Sequence, residues 1–185
     1  MVASASPVTH IALLRGINVG KNNRVPMATL RSLLGDLGYS DVRTHLNSGN
    51  AVFAVPGRQQ PATVAKQIEA ALLDETGLTL RVVVRSRKEL ADVVAKNPFA
   101  DEATDPARFL VAFLAEPVPS ARLRDVDAEA LAPELFHLAR RELYLWLPGG
   151  IQNSPMMKVL SDQRLGVATT ARNWNTVTKL LELSR

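Results

Sequence analysis

The chain reads as an α+β protein, with a ferredoxin-like βαββαβ unit over residues 8–97 and a smaller, related α+β unit over residues 107–185. Three observations predict this. Short apolar runs of strand length alternate with segments whose apolar residues recur at helical spacing. Over residues 8–85 the order of these segments is β-α-β-β-α-β, that of a split βαβ unit. The pattern then partly repeats after a break at 97–107, where Pro98, Pro106, Asp101, Glu102 and Asp105 interrupt every periodicity.

Taken in order, His10-Ile-Ala-Leu-Leu-Arg15 is a continuous apolar run suited to a central strand. Pro26 opens a helix where its missing N–H costs nothing. Met27, Leu30, Leu33, Leu34 and Leu37 carry the helical spacing, and Gly38 ends it. Residues 42–46 and 51–55 are strand-like runs around Asn47-Ser48-Gly49-Asn50, whose Gly and Asn tolerate the positive φ of a hairpin turn. Pro61 begins the next helix, with Val64, Ile68 and Leu72 on one face and Gly77 closing it. Leu80, Val82 and Val84 alternate with Arg81 and Arg85, which predicts a half-buried strand. Ser86-Arg-Lys-Glu89 is a capping box, so a helix follows and stops before Asn97-Pro98.

In the second unit, residues 109–114 read as a strand and 120–131 as a weaker helix. Residues 135–139 and 143–147 form a hairpin through Arg140-Arg141-Glu142. Ser154-Pro155 is an N-cap and first-turn pair that starts a helix ending at Gly166. A last helix takes in Trp174, Val177, Leu180 and Leu181, and residues 169–176 are read as its capped beginning.

Composition narrows the function classes. A hydrophobic fraction of 46% with 22% charged residues places the chain among folded globular proteins rather than disordered ones. With no cysteine, disulfides, thiolate zinc sites, iron–sulfur clusters and a cysteine nucleophile are excluded, which fits a reducing compartment. The first seven residues lack the basic and apolar regions of a signal peptide, and no apolar run approaches the roughly 20 residues that span a bilayer. The expectation is therefore a soluble, cytoplasmic protein that does not engage a membrane.

The pI near 9.8 suggests anionic partners, although the net charge is only +4. Positive charge concentrates at both ends of the chain: residues 1–60 carry a net +4 and residues 155–185 a net +3, while 61–154 carry −3. The unusual motifs lie in the same two regions. Arg15-Gly-Ile-Asn-Val-Gly-Lys21-Asn-Asn23 follows the first strand and precedes the first helix, where a Gly-rich turn can present backbone N–H groups to an anion. It is not a P-loop: Gly16 and Gly20 are one residue too close, and Asn22 stands where the metal-binding hydroxyl belongs. Arg172-Asn173-Trp174-Asn175-Thr176 offers a guanidinium and two amides beside an indole, a set suited to a carboxylate or phosphate. Helix capping and a Trp core anchor explain the same residues without a ligand.

Other chemistries find no residues. His10, His45 and His137 lie far apart in sequence, so no metal site is expected, and no serine carries a nucleophile-elbow pattern. An RNA-recognition module would stack bases on aromatics of its central strands. Here Asn50, Val52, Val55 and Ala12 occupy those places.

Ile11-Ala-Leu-Leu-Arg-Gly-Ile-Asn-Val-Gly20, Arg24-Val-Pro-Met27, Asp41-Val-Arg-Thr44, Leu46-Asn-Ser-Gly-Asn50, Asn97-Pro-Phe99 and Arg172-Asn-Trp-Asn-Thr-Val177 stand in an order that resembles the bacterial family called domain of unknown function 1697. The resemblance runs over residues 8–183. It implies an α+β fold with a ferredoxin-like component and no assigned activity. The chain departs from the family pattern in two places. It reads Gly20-Lys-Asn-Asn where Gly-Gly-Lys-Asn is expected, and His45 replaces a tyrosine.

The reading that best unites these features is a protein that binds a small phosphorylated or carboxylated ligand. Arg15 and Lys21 would supply charge, Gly16, Asn18 and Gly20 hydrogen bonds, and Arg172 and Asn173 would complete the site from the C-terminal helix, with no cofactor and no assignable catalysis. It predicts that residues 15–23 lie near 170–176. The alternatives are an interaction module that self-associates, its motifs serving only folding, and non-specific nucleic-acid binding. Either a monomer or a homodimer is compatible with this sequence.

Overall fold

A computed structural model describes residues 9–20, 23–159 and 162–185. It is an α+β protein with two four-stranded antiparallel sheets and, among the described residues, six helices. The chain divides into two compact units: one formed by residues up to Ala91 together with Lys179–Arg185, the other by Asp92–Thr178.

The first unit contains β1 (His10–Leu14), α1 (Met27–Asp36), β2 (Ser40–His45), β3 (Asn50–Ala54), α2 (Pro61–Thr76) and β4 (Val82–Ser86), with strands in the order β2-β3-β1-β4. β1 is central and pairs antiparallel with β3 and β4, so each helix links two parallel strands that have another strand between them. Ala12, Leu14, Ala51, Phe53, Val82 and Val84 pack against Leu30 and Leu34 of α1 and Val64, Ile68 and Leu72 of α2. The expected helix boundaries hold. Pro61 stands in the first turn of α2 and Gly77 ends it at φ 68°, in the left-handed region. The capping box is closed both ways: Glu89 accepts from the Ser86 N–H at 2.8 Å, and Ser86 accepts from the Glu89 N–H at 3.1 Å, at the start of α3 (Arg87–Ala95).

β4 differs from the half-buried strand expected. Arg81 stays exposed, but Arg85 is 1% exposed on the face that also buries Leu13, Val83 and Val52. Both faces of the sheet are buried, so alternation of Val with Arg does not mark a wet side here. The C-terminal residues belong to this unit too. Arg87 Nε donates to the Ser184 carbonyl at 2.8 Å and Arg43 to that of Leu183 at 3.2 Å, two cations on the last carbonyls of a helix.

The second unit contains β5 (Phe109–Leu114), a 3-10 turn (Ser120–Leu123), β6 (Leu135–Leu138), β7 (Glu142–Trp146), α4 (Met156–Val159), α5 (Asp162–Leu165), β8 (Thr169–Asn173) and the start of α6 (Trp174–Leu183). Its strand order, β6-β7-β5-β8, repeats that of the first sheet. Leu110, Ala112, Leu114, Leu143 and Leu145 pack with Leu123, Met156 and Leu165.

Two sequence expectations change in this unit. Residues 120–131 form only a 3-10 turn and then hydrogen-bonded turns, because the Asp127 carboxylate accepts from the Glu129 and Ala130 N–H groups and competes with helix. The expected helix from Ser154 to Gly166 is helical over Met156–Val159 (α4) and Asp162–Leu165 (α5) on either side of positions 160 and 161, which lie outside the described residues. Residues 169–173 form an edge strand, not the first turn of a helix, and α6 begins only at Trp174. Arg172 and Asn173 therefore sit on a sheet, not on the C-terminal helix.

Candidate functional site

The loop leaving β1 has an unusual backbone. Gly16, Asn18, Gly20 and Asn23 all adopt positive φ, between 52° and 64°, which Gly and Asn reach more easily than other residues. Asn18 organises it. Its amide nitrogen donates to the carbonyls of Val25 at 2.9 Å and Asn47 at 2.6 Å, and its oxygen accepts from the Val25 N–H at 2.9 Å. Asn23 adds a bond from its side chain to the Gly16 carbonyl at 3.2 Å. Ile17 and Val25 are buried beneath the loop.

The β2–β3 turn docks on this loop. Gly49, at φ 81°, approaches so closely that a Cβ there would lie 2.7 Å from both Leu14 Cβ and Ile17 Cδ1. Its carbonyl accepts from the Leu14 N–H at 2.8 Å. Asn50, fully buried, fixes the turn from inside by donating to the His45 carbonyl and the Ser48 hydroxyl. The hairpin chemistry predicted for residues 47–50 is present, and it also serves to seat one loop against the other.

Together they form a concavity of about 340 Å³ lined by Asn18, Gly20, Arg24, Val25, Pro26 and Asn47. No acidic residue lines it among the described residues. Pro26 precedes α1, whose first turn has neither a side-chain cap nor an acidic residue, so the positive end of the helix dipole adds to the charge of Arg24. Arg15 is exposed on the same loop, with its N–H bonded to the Arg81 carbonyl at 2.9 Å. A larger concavity, about 570 Å³, lies between α1 and α2. It is bordered by Asp36, Asp74 and Glu75 and has the wrong sign for an anion.

Of the predicted site residues, Arg15, Gly16, Asn18 and Gly20 thus share one loop of the first unit, while Lys21 lies outside the described residues. Arg24 and Asn47 join them. Asn47 was legible only as part of a turn, and Arg24 lay just past the stretch that stood out. Both donors of the Asn18 amide are engaged within the protein, so this side chain shapes the loop.

Arg172 and Asn173 belong to the second unit. Arg172 is buried on β8, and its guanidinium donates to the Thr170 hydroxyl and the Ala171 carbonyl, both at 2.8 Å. Loss of solvent pushes its pKa down to about 10. Asn173 caps α6: its oxygen accepts from the Thr176 N–H at 3.0 Å and hydroxyl at 2.8 Å. Trp174 packs against Phe109 with ring centres 4.7 Å apart and the planes tilted by 32°. The buried Tyr144 donates to the Val93 carbonyl, and burial with the Glu142 charge raises its pKa to about 12. No group of three or more His, Asp or Glu side chains among the described residues could hold a metal ion, and no helix there is long and apolar enough to cross a membrane.

Two antiparallel sheets with the same strand order, each with its own core, define an α+β protein of two units. The chain belongs to the family described as protein of unknown function (DUF1697), whose profile matches residues 8–144 and so includes the loop and turn described above. Among solved structures it is similar to the conserved bacterial protein SP0830 from Streptococcus pneumoniae. The two share 22% identity over 97% of this chain and 100% of that one, with a TM-score of 0.77, a likeness of fold. No curated protein matches the chain.

Proposed function

We propose that the protein binds a small phosphorylated or carboxylated ligand at the loop end of the first unit. Arg15, Lys21 and Arg24 supply charge, Gly16 and Gly20 supply backbone N–H groups, and Asn18 holds the loop in shape. In this reading the first unit is a ferredoxin-like unit and the second a related one, on the strength of the shared strand order, and a cytoplasmic setting suits a chain without cysteine. Arg172 and Asn173 serve the second unit's own strand and helix.

The observation that carries this reading is an internal control. β1 ends at Leu14 and α1 begins at Met27, leaving twelve connecting residues, 15–26. At the corresponding place in the second sheet, β5 ends at Leu114 and the 3-10 turn begins at Ser120, leaving five, 115–119. These five, Ala115-Glu-Pro-Val-Pro119, include no glycine, asparagine or basic side chain. The longer loop therefore contains more than the connection requires, and the surplus is cationic and rich in backbone donors.

A thermal-shift screen against inorganic phosphate, sugar phosphates, nucleotides and organic acids tests it, on the parent and on an Arg15→Ala/Arg24→Ala variant. A ligand at 100 times its Kd stabilises the folded protein by about 2.7 kcal/mol. At least one anion should raise the melting temperature of the parent and lose that effect in the variant. If no anion shifts the parent, or the shift survives in the variant, the reading fails.

A further inference from the structure

One sheet edge of the second unit is left open to a further strand, and we infer that this edge, β6, pairs antiparallel with β6 of a second copy of the chain. The inference concerns the second unit and does not rest on the anion-binding reading.

The two sheets end on β2, β4, β6 and β8. Residues 82–85 of β4 are buried, as are Thr169, Thr170 and Arg172 of β8, whereas no residue of β2 or β6 is. β2 is guarded against a further strand. Its register on β3 breaks between Ser40 and Arg43, Asp41 stands in that break at φ 52°, and both Asp41 and Arg43 are charged. β6 has none of these devices. Leu135-Phe136-His137-Leu138 runs in unbroken register on β7 and contains no proline, lysine, arginine or carboxylate.

The ladder fixes which backbone groups face outward. The Ala139 N–H donates to the Glu142 carbonyl at 2.8 Å, so these two residues form a hydrogen-bonded pair. By alternation His137 with Tyr144 and Leu135 with Trp146 are hydrogen-bonded pairs too. Phe136 and Leu138 therefore turn their N–H and C=O groups away from β7, where they take no partner among the described residues. Both side chains are half-buried and pack on the core of the second unit.

A second copy fits this edge better than an arbitrary strand. Antiparallel pairing centred on His137 sets Phe136 of each copy opposite Leu138 of the other. Every outward backbone group of the two strands is then satisfied, and each half-buried apolar side chain gains an apolar neighbour. Charge selects the same orientation. The segment leading into β6 carries Asp125, Asp127, Glu129 and Glu134, and the turn leaving it carries Arg140 and Arg141. Antiparallel pairing brings the basic turn of one copy to the acidic segment of the other, whereas parallel pairing would set like beside like. Arg140 and Glu129 are exposed, and neither makes an ion pair among the described residues. A contact built on one short strand per copy is small, so the dimer is weak.

Sedimentation from about 10 μM to about 1 mM should show the parent's mass rising toward that of a dimer. Arg140→Glu, at an exposed turn position, should move that rise to higher concentration. The register has its own test. His137 faces His137 of the other copy as a non-hydrogen-bonded pair, with Cα atoms about 4.5 Å apart, within the span a disulfide bridges. His137 is exposed and the chain has no cysteine, so His137→Cys introduces one thiol at the axis, and Ser40→Cys places the control on the guarded β2 edge. Under mild oxidation His137→Cys should convert to a disulfide-linked dimer while Ser40→Cys remains monomeric. A parent that stays monomeric at about 1 mM overturns the inference, as does a His137→Cys chain that crosslinks no faster than Ser40→Cys. A mass profile unchanged by Arg140→Glu overturns the antiparallel orientation, and each of these outcomes leaves anion binding standing.

Discussion

β1 and β5 hold the same place in their sheets, yet the chain leaves them by different chemistry. Both strand ends are tied to the neighbouring turn by one backbone bond, from Leu14 N–H to the Gly49 carbonyl in the first unit and from Leu114 N–H to the Arg141 carbonyl in the second. Beyond that bond the designs part. In the first unit the loop reaches to the turn, through the Asn18 side chain and the Asn47 carbonyl. In the second the turn reaches to the loop: Arg141 donates to the Ala115 carbonyl at 3.0 Å, across a connection stiffened by Pro117 and Pro119. In the second unit a proline-stiffened five-residue link leads from the strand to the 3-10 turn. The Asn-clasped loop holds four positive-φ residues and an open concavity that the fold does not require.

The largest test of this comparison is Gly49→Val. Its side chain would meet Leu14 and Ile17 at impossible distances in a left-handed backbone, so we expect a loss of about 3 kcal/mol or more in urea denaturation. A loss below about 1 kcal/mol would mean that the turn can lift off the loop freely, and the close approach would not define the site. Next come the two clasps. Asn18→Ala removes two donated bonds and one accepted bond and should cost about 2 kcal/mol, against about 1 kcal/mol for Arg141→Ala in the second unit. Equal or reversed losses would break the contrast between a clasped loop and a stiffened one.

The smallest expected effect is a dependence on pH seated in the first unit. Burial lowers the pKa of His10 below its ordinary value of 6.5, opposed by a bond to the Gln59 carbonyl and by the charge of Glu89. The folded protein then keeps the ring neutral where the unfolded chain takes up a proton. Stability should decline as pH falls through 6.5 toward the lower folded value, and should level off below it. His137, on β6 of the second unit, is exposed. Denaturation midpoints at about pH 7.5 and about pH 5.5 should therefore differ less in His10→Asn than in the parent. An unchanged difference would place the titrating group elsewhere.

Much of the first unit was legible before any coordinates. Pro61, Gly77 and the Ser86–Glu89 box mark helix ends through local backbone chemistry, and the apolar residues of α1 and α2 repeat at the helical period. The second unit was less so, for particular reasons. β8 carries Thr-Thr-Ala-Arg-Asn, with no large apolar residue to reveal a strand, and Asn173 is at once its last residue and the cap of α6. Helix spacing over 120–131 lost to the Asp127 carboxylate. The candidate site was half visible. Its glycines and loop asparagines stand out in sequence, but Asn47 resembles an ordinary turn residue until the turn is seen against the loop.

Sequence alone determined what depends on neighbours along the chain: the helix ends of the first unit, the glycine and asparagine positions free to take positive φ, the α+β class and the family. Tertiary structure decided which faces are wet, and so buried Arg85 in a strand that pattern alone would leave half exposed. It also decided that residues 14–18 and 47–49 meet. Local propensity acts over a turn or two of backbone, whereas burial and loop-to-loop hydrogen bonds depend on strand order, which brings together residues that no periodicity connects.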